Sequence, residues 1–244
     1  MASAAAAELL LGGIVVVGAS VQWLTGMGFA LIAVPALVLV LGPAQGVVLA
    51  NCAAGVISVV GLTTGWRRVR LGVMVPLVIA SACTVPAGSW VAAWLPEPVL
   101  LAGVGILVTV AVAFVMGGAR IPALTGTKGA VTAGAVGGFM NSAAGVGGPP
   151  YSLYAVNAGW PVREFVPNAQ FYGIMVNIFS VAANGMPRLS GTAWTVAAAA
   201  LVTGALIGRA AAPRIPEHRV RRLILTLALT GGLTVLGKGL WAMW

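Results

Sequence analysis

The chain has 244 residues, 60% of them hydrophobic and 7% charged, with a net charge of +9. Soluble domains carry about 25% charged residues, so this chain cannot solvate a globular surface and is read as an all-α polytopic membrane protein. Soluble enzymes, DNA-binding domains and disordered scaffolds are excluded. So is nucleic acid as a partner, because the basic residues sit in short clusters between apolar runs, as at cytoplasmic loop ends.

Eight apolar segments follow in order: 9–41, 44–64, 71–95, 98–118, 129–158, 167–185, 191–208 and 220–243. The first continues an apolar N-terminus, Met1 to Gly18, that has no Lys or Arg ahead of it and carries Glu8, so it is read as mature protein and not as a signal peptide. It is too long for one ordinary span and is broken by Thr25-Gly26-Met27-Gly28, with Gln22 just ahead. Segment 44–64 carries Asn51 and Ser58, segment 71–95 follows, and segment 98–118 leads to a polar loop at 119–128. Cys52 and Cys83 lie inside apolar runs and read as buried hydrophobes. Segment 129–158 is broken in turn by Asn141-Ser142 and the run Gly145-Val146-Gly147-Gly148-Pro149-Pro150. Irregular backbone at membrane depth is tolerated only inside protein or lining a cavity. In segment 167–185, Gln170, Asn177 and Asn184 recur every seven residues and share one helix face. Arg163-Glu164, ahead of that segment, reads as an interfacial ion pair, and His218 falls in the basic cluster 214–222. Most Trp residues, including Trp66, Trp94, Trp160, Trp241 and Trp244, stand near segment ends, as in an interface belt.

The sequence reads as a duplication. Gly18, Gln22, Gly26 and Gly28 recur 119 residues later as Gly137, Asn141, Gly145 and Gly147. Asn51 and Ser58 answer Gln170 and Asn177 at the same offset, and Leu95-Pro96-Glu97 answers Ile215-Pro216-Glu217 at 120. The expected organisation is a first transmembrane repeat (1–118), a cytoplasmic linker loop (119–128) and a second transmembrane repeat (129–244). Charge decides between two topologies. If both broken segments cross once, seven basic residues face one side and six the other. If both are re-entrant hairpins, eleven share one side and only Arg188 and Lys238 lie opposite, which satisfies the positive-inside rule. Each half then has a glycine-tipped re-entrant or broken helix plus three transmembrane helices, and the odd number inverts the second repeat.

The residues that carry the repeat also carry a resemblance. Gly18…Thr25-Gly26-Met27-Gly28…Pro35 and Gly137…Gly145-Val146-Gly147-Gly148-Pro149, with the closing Gly208…Ile215-Pro216, resemble the paired glycine-rich signatures of the TauE/SafE sulfite exporter family. The resemblance covers essentially the whole chain. It implies a plasma (inner) membrane secondary transporter of sulfite, sulfonates or related anions, most often an exporter. The first-half signature departs from the second in lacking a third glycine.

The chemistry expected of the breaks is anion binding by backbone N–H groups at interrupted helices, near the bilayer midplane. The candidate substrate-binding residues are Gln22, Thr25, Gly26, Gly28, Asn51, Asn141, Ser142, Gly145, Gly147, Gly148, Gln170 and Asn177. For the glycines the competing role is tight helix packing, and for the amides it is interhelical hydrogen bonding. Tyr151 and Tyr154 are open between donating and packing. Gly148 and Pro149-Pro150 point to the second tip as the dominant one. Catalysis by a Ser-His pair or a metal lacks the residues at the required spacing, and no phosphate loop, metal or cofactor motif occurs. The expected partners are a small anionic substrate and membrane lipid; the sequence leaves the oligomeric state open. A non-transporting assembly factor, or a channel-like facilitator of another small solute, is the competing function.

Overall fold

The computed structural model describes residues 2–26, 28–63, 65–117, 124–211 and 217–244. Met27, residue 118, residues 119–123 of the linker, Arg214 and Ile215-Pro216 lie outside the described residues, as do the side chains of His218, Arg219, Arg221 and Arg222. The described residues form ten α-helices and no strand: α1 (Ala2–Thr25), α2 (Phe29–Leu41), α3 (Pro43–Leu62), α4 (Leu71–Trp94), α5 (Glu97–Met116), α6 (Gly126–Ala144), α7 (Gly148–Asn157), α8 (Val162–Asn184), α9 (Gly191–Ala211) and α10 (Glu217–Trp241).

Both expected breaks occur, by one local device. Gly26 adopts φ +75° and its N–H bonds to the Gln22 carbonyl at 2.8 Å. Gly145 adopts φ +70° and bonds to the Asn141 carbonyl at 2.8 Å. A left-handed residue in this position ends a helix, and glycine adopts it without steric cost. Pro149 and Pro150 then sit in the first turn of α7, where no intrahelical N–H is required. In both cases the chain folds back. Gly18 packs on Phe29 and Ala33, and Gly137 lies against the Gly147 carbonyl. The two long segments are therefore helical hairpins.

The other helices begin and end near the expected limits, with one correction. α8 starts at Val162 with Pro161 as its N-cap, so Arg163 and Glu164 stand on its first turn and Pro167 is inside it. The expected Arg163–Glu164 pair does not form, because consecutive residues on a helix do not face each other. Glu164 Oε2 meets Arg70 Nη1 instead, at 3.3 Å. Trp160 is likewise held by the protein: it packs edge-on against Tyr151 and Tyr154, and the Arg70 guanidinium lies 5.2 Å over its ring.

Five helices are long and apolar enough to cross a membrane: α1 from Ala6, α3, α4, α5 to Phe114, and α9. Outward-facing side chains such as Trp90, Val202 and Leu206 are exposed and apolar. The chain is a multi-pass membrane protein. α8 and α10 have crossing length but carry more polar residues.

The principal helix pairings all join the first five helices to the last five: α4 with α6, α1 with α9, α5 with α10 and α3 with α8. Glycines set the approach. Gly134 and Gly138 lie beside Leu77 and Ser81, so α4 and α6 run parallel; Gly12 and Gly204 lie beside Val196 and Val16, so α1 and α9 do too. Gly105 beside Leu236 with Gly239 beside Ala102 makes α5 and α10 antiparallel. Gly55 beside Asn177 with Gly61 beside Gln170 does the same for α3 and α8.

Polar contacts sort the loops between two ends. The Arg70 N–H donates to Asn168 Oδ1 at 2.8 Å, and Asn168 Nδ2 to the Arg68 carbonyl at 3.4 Å. Residues 68–70 and 164–168 thus share one end. At the other, Thr192 and Ser190 donate to Glu8 Oε1, and the Arg188 N–H donates to Gln45 Oε1 at 2.6 Å. The single-crossing topology needs 67–70 and 163 on opposite faces, and the Arg70–Glu164 contact overturns it.

Candidate functional site

The two breaks meet around a cavity of about 270 Å³. Gln22, Thr25, Gly26 and Gly28 line it from the first break, and Asn141, Gly147 and Gly148 from the second; α8 contributes Asn177. No charged side chain lines it among the described residues. The volume falls just below the range typical of drug-sized ligands, about 300–1,000 Å³, so it suits a small solute.

The remaining four candidates stand behind this wall. Ser142 faces α4, where its hydroxyl donates to the Val85 carbonyl at 2.9 Å. Gly145 is turned towards Val34, with an added Cβ only 2.9 Å from Val34 Cγ2. Asn51 and Gln170 work crosswise. Asn51 Nδ2, on α3, donates to the Asn141 carbonyl at the second break (3.2 Å). Gln170 Nε2, on α8, donates to the Gly26 carbonyl at the first (2.9 Å). The amide stripe of α8 thus reaches the tips in two ways: Gln170 fixes one and Asn177 faces the cavity beside the other. Its third member, Asn184, ties α8 to its neighbours, accepting from Ser89 Oγ at 2.6 Å and donating to the Ser142 carbonyl at 3.0 Å.

Backbone groups lock the orientation of every amide in this wall. The Gly147 N–H can only donate, and it donates to Asn141 Oδ1 at 3.1 Å. Asn141 must therefore turn Nδ2 outward, to Asn177 Oδ1 at 3.1 Å and Ser180 Oγ at 2.8 Å. In the other half the Gly26 carbonyl can only accept, so Gln170 presents Oε1 to Gln22 Nε2 at 3.4 Å. Gln22 Nε2 also donates to Ser58 Oγ at 2.9 Å.

The tips differ in the donors they leave. At the second, the N–H groups of Gly145, Val146 and Gly147 are all engaged, the last by Asn141. Pro149 and Pro150 have none to offer. Only the Gly148 N–H remains, against the expectation that this tip dominates. At the first tip, α2 starts at Phe29 without a side-chain cap. The first N–H groups of a helix have no acceptor within it, and Ala30 and Leu31 of this turn line the cavity.

The cavity is one-sided. Its α8 lining runs from Phe165 to Asn177 and its α3 lining covers Ala54 and Ser58, both towards the Arg70–Glu164 end. Beyond them Ala50, Val47 and Ser180 are buried in packed helix. Sequence reasoning missed the apolar liners Phe165, Tyr172, Leu31 and Leu225, which carry no motif. Ser58 lines the cavity as well, a role its repeat relation to Asn177 could have signalled. Tyr151 is not a liner: its hydroxyl donates to the Phe165 carbonyl at 3.1 Å and its ring stacks on Tyr172 at 5.3 Å. Tyr154 packs against Trp160.

A family model described as "Sulfite exporter TauE/SafE" matches residues 10–235. No curated protein and no solved structure matches the chain.

Proposed function

The chain belongs to the TauE/SafE sulfite exporter family and is a membrane transporter; from that premise we propose that it carries small sulfur-containing oxyanions, sulfite or a sulfonate, out across the plasma membrane by alternating access. The observation that carries this reading is the cavity between the two breaks, a mostly apolar wall with no charged side chain among its described liners, into which the Asn177 amide and the first turn of α2 bring N–H donors. Oriented amides and helix N-termini attract an anion without a fixed cation. A hard metal cation would need several oxygen ligands, carboxylates among them, and no carboxylate lines the cavity among the described residues. Nor does any nucleophile–base pair line it among the described residues, which fits transport better than hydrolysis.

Alternation is supported by the repeat. α3 and α8 correspond at the 119-residue offset and run antiparallel, as do α5 and α10. Exchanging the halves converts the α1–α9 pair into α6–α4. Two inverted repeats, 1–118 and 129–244, have this symmetry, and the positive-inside rule puts the Arg67–Arg70 end in the cytoplasm. Ala169, Tyr172 and Val176 line the cavity, whereas their repeat partners Ala50, Ala53 and Ile57 do not; the side chains of both sets are otherwise packed. Exchange of conformation between the halves would close the first set and expose the second.

The test is flux of labelled sulfite and sulfonates from proteoliposomes, with single cysteines at positions 53 and 169 of a cysteine-free chain probed in parallel. Saturable anion flux is expected, with labelling at 169 from the cytoplasmic face and at 53 from the outer face during turnover. No flux of any small sulfur oxyanion refutes the substrate assignment. Labelling at 53 that never appears refutes alternation.

A further inference from the structure

The amide chains that line the cavity end with opposite polarity. One runs from the Gly147 N–H through Asn141 to Asn177 Oδ1, so Asn177 is left with Nδ2, a donor, and no partner for it among the described residues. The other runs from the Gly26 carbonyl through Gln170 to Gln22 Nε2, so Gln22 is left with Oε1, an acceptor, equally without a partner. Both side chains are deeply buried, with 6% and 5% of their surfaces exposed, and both line the cavity. Neither atom is sealed away: among the described residues the one enclosed, unpartnered side-chain polar atom is Thr109 Oγ1, which is not a cavity liner. An amide flip cannot reverse either terminus, since a backbone donor fixes one chain and a backbone carbonyl the other.

A bare anion satisfies only half of this arrangement. Its oxygens accept from Asn177 Nδ2 and from the first turn of α2, but they would meet Gln22 Oε1 with lone pair against lone pair. We infer that the cavity selects singly charged oxyanions that carry a hydrogen-bond donor of their own, a hydrogen oxyanion or a hydroxysulfonate, and that Gln22 Oε1 is the group that reads the donor. The inference rests on the anion reading of the cavity and narrows it. It also gives the substrate the part of proton carrier, in a cavity whose described lining has no titrating carboxylate.

Hydroxymethanesulfonate and ethanesulfonate have the same charge and nearly the same shape, and only the first offers an O–H. Affinities of the purified full chain for each, by calorimetry and by competition for sulfite flux, decide the matter. A buried acceptor left unmade costs enough to separate the pair by about tenfold or more in favour of hydroxymethanesulfonate. In Gln22→Met the ratio should fall to about one. Equal affinities in the wild-type chain, or tighter binding of ethanesulfonate, overturn the inference while leaving anion transport in place. Binding of neither sulfonate, with no sulfite flux, overturns both. A variant ratio still near tenfold removes Gln22 as the reader. The wild-type comparison needs no variant to fold.

Discussion

Asn141→Ala should be among the most damaging single changes in the cavity wall. The side chain is 4% exposed and does two jobs: it accepts from the Gly147 N–H and donates to Asn177 and Ser180. Alanine leaves the Gly147 N–H buried without an acceptor, which costs about 1–3 kcal/mol. The lost side-chain bonds add about 0.6 kcal/mol each, the average measured between membrane helices. Together these give a loss of about 2–4 kcal/mol. At about 2–4 °C per kcal/mol for a chain of this size, the melting midpoint should fall by about 5–15 °C. Thermal unfolding of purified protein in detergent, followed by intrinsic tryptophan fluorescence, measures it. Asn177→Ala should cost less, because Asn141 Nδ2 keeps Ser180 Oγ at 2.8 Å. An Asn141→Ala midpoint equal to wild type, or a larger loss in Asn177→Ala, would refute the orientation-locking argument.

Gln170→Leu frees the Gly26 carbonyl and should cut sulfite flux by about tenfold, the effect of misplacing a tip by one hydrogen bond, while monodisperse yield stays near wild type; equal loss of yield and flux would mean that Gln170 is only interhelical glue. Gly138→Ala sets a Cβ 2.5 Å from the Ser81 carbonyl, and such overpacking should cost about 1–3 kcal/mol in unfolding experiments. Gly103→Ala meets nothing within 4 Å in the middle of α5 and should raise stability by up to about 1 kcal/mol. Glu164→Gln breaks the Arg70 pair, but the side chains are 49% and 33% exposed. Its midpoint should move less than that of Asn168→Ala, which strips the buried acceptor from the Arg70 N–H; the reverse order would make the ion pair the true clasp of this end.

Much of the architecture was legible because glycine, proline and amides at fixed spacing have few structural uses. Gly26 and Gly145 each ended a helix as expected, and the eight apolar segments correspond to helices or helical hairpins. The start of α8 was not legible, because Arg163 and Glu164 resemble loop while Pro161 is a sound N-cap for a helix that begins with them. Within the candidate site, residue type identified the amides but not which way they face. Asn51 and Asn177 differ little as sequence, yet one braces a tip from behind and the other opens on the cavity. That distinction depends on which backbone group, donor or acceptor, stands at the far end of each chain of hydrogen bonds. The balance of free N–H groups was hidden for the same reason. The second tip has more glycine, but its own side chains and prolines consume or remove its donors.

The pairing of α1 with α9, and of α4 with α6, has a consequence for how the protein is made. Gly204 sits 2.5 Å from the Val16 carbonyl, measured at the position a Cβ would take, and Gly138 is equally close to Ser81. These surfaces are closely fitted, and α9 lies far along the chain from α1. While the first five helices are being inserted, α1 has no α9 beside it and Gln22 has no Gln170. The early half therefore waits in lipid with Gln22 held by Ser58 of its own half and a closely fitted groove unfilled, and completion of the fold depends on the arrival of the last helices. Cutting the chain between α5 and α6 after assembly should leave the molecule intact. Making the two pieces in separate cells should yield neither in a native state, and making them together should restore both.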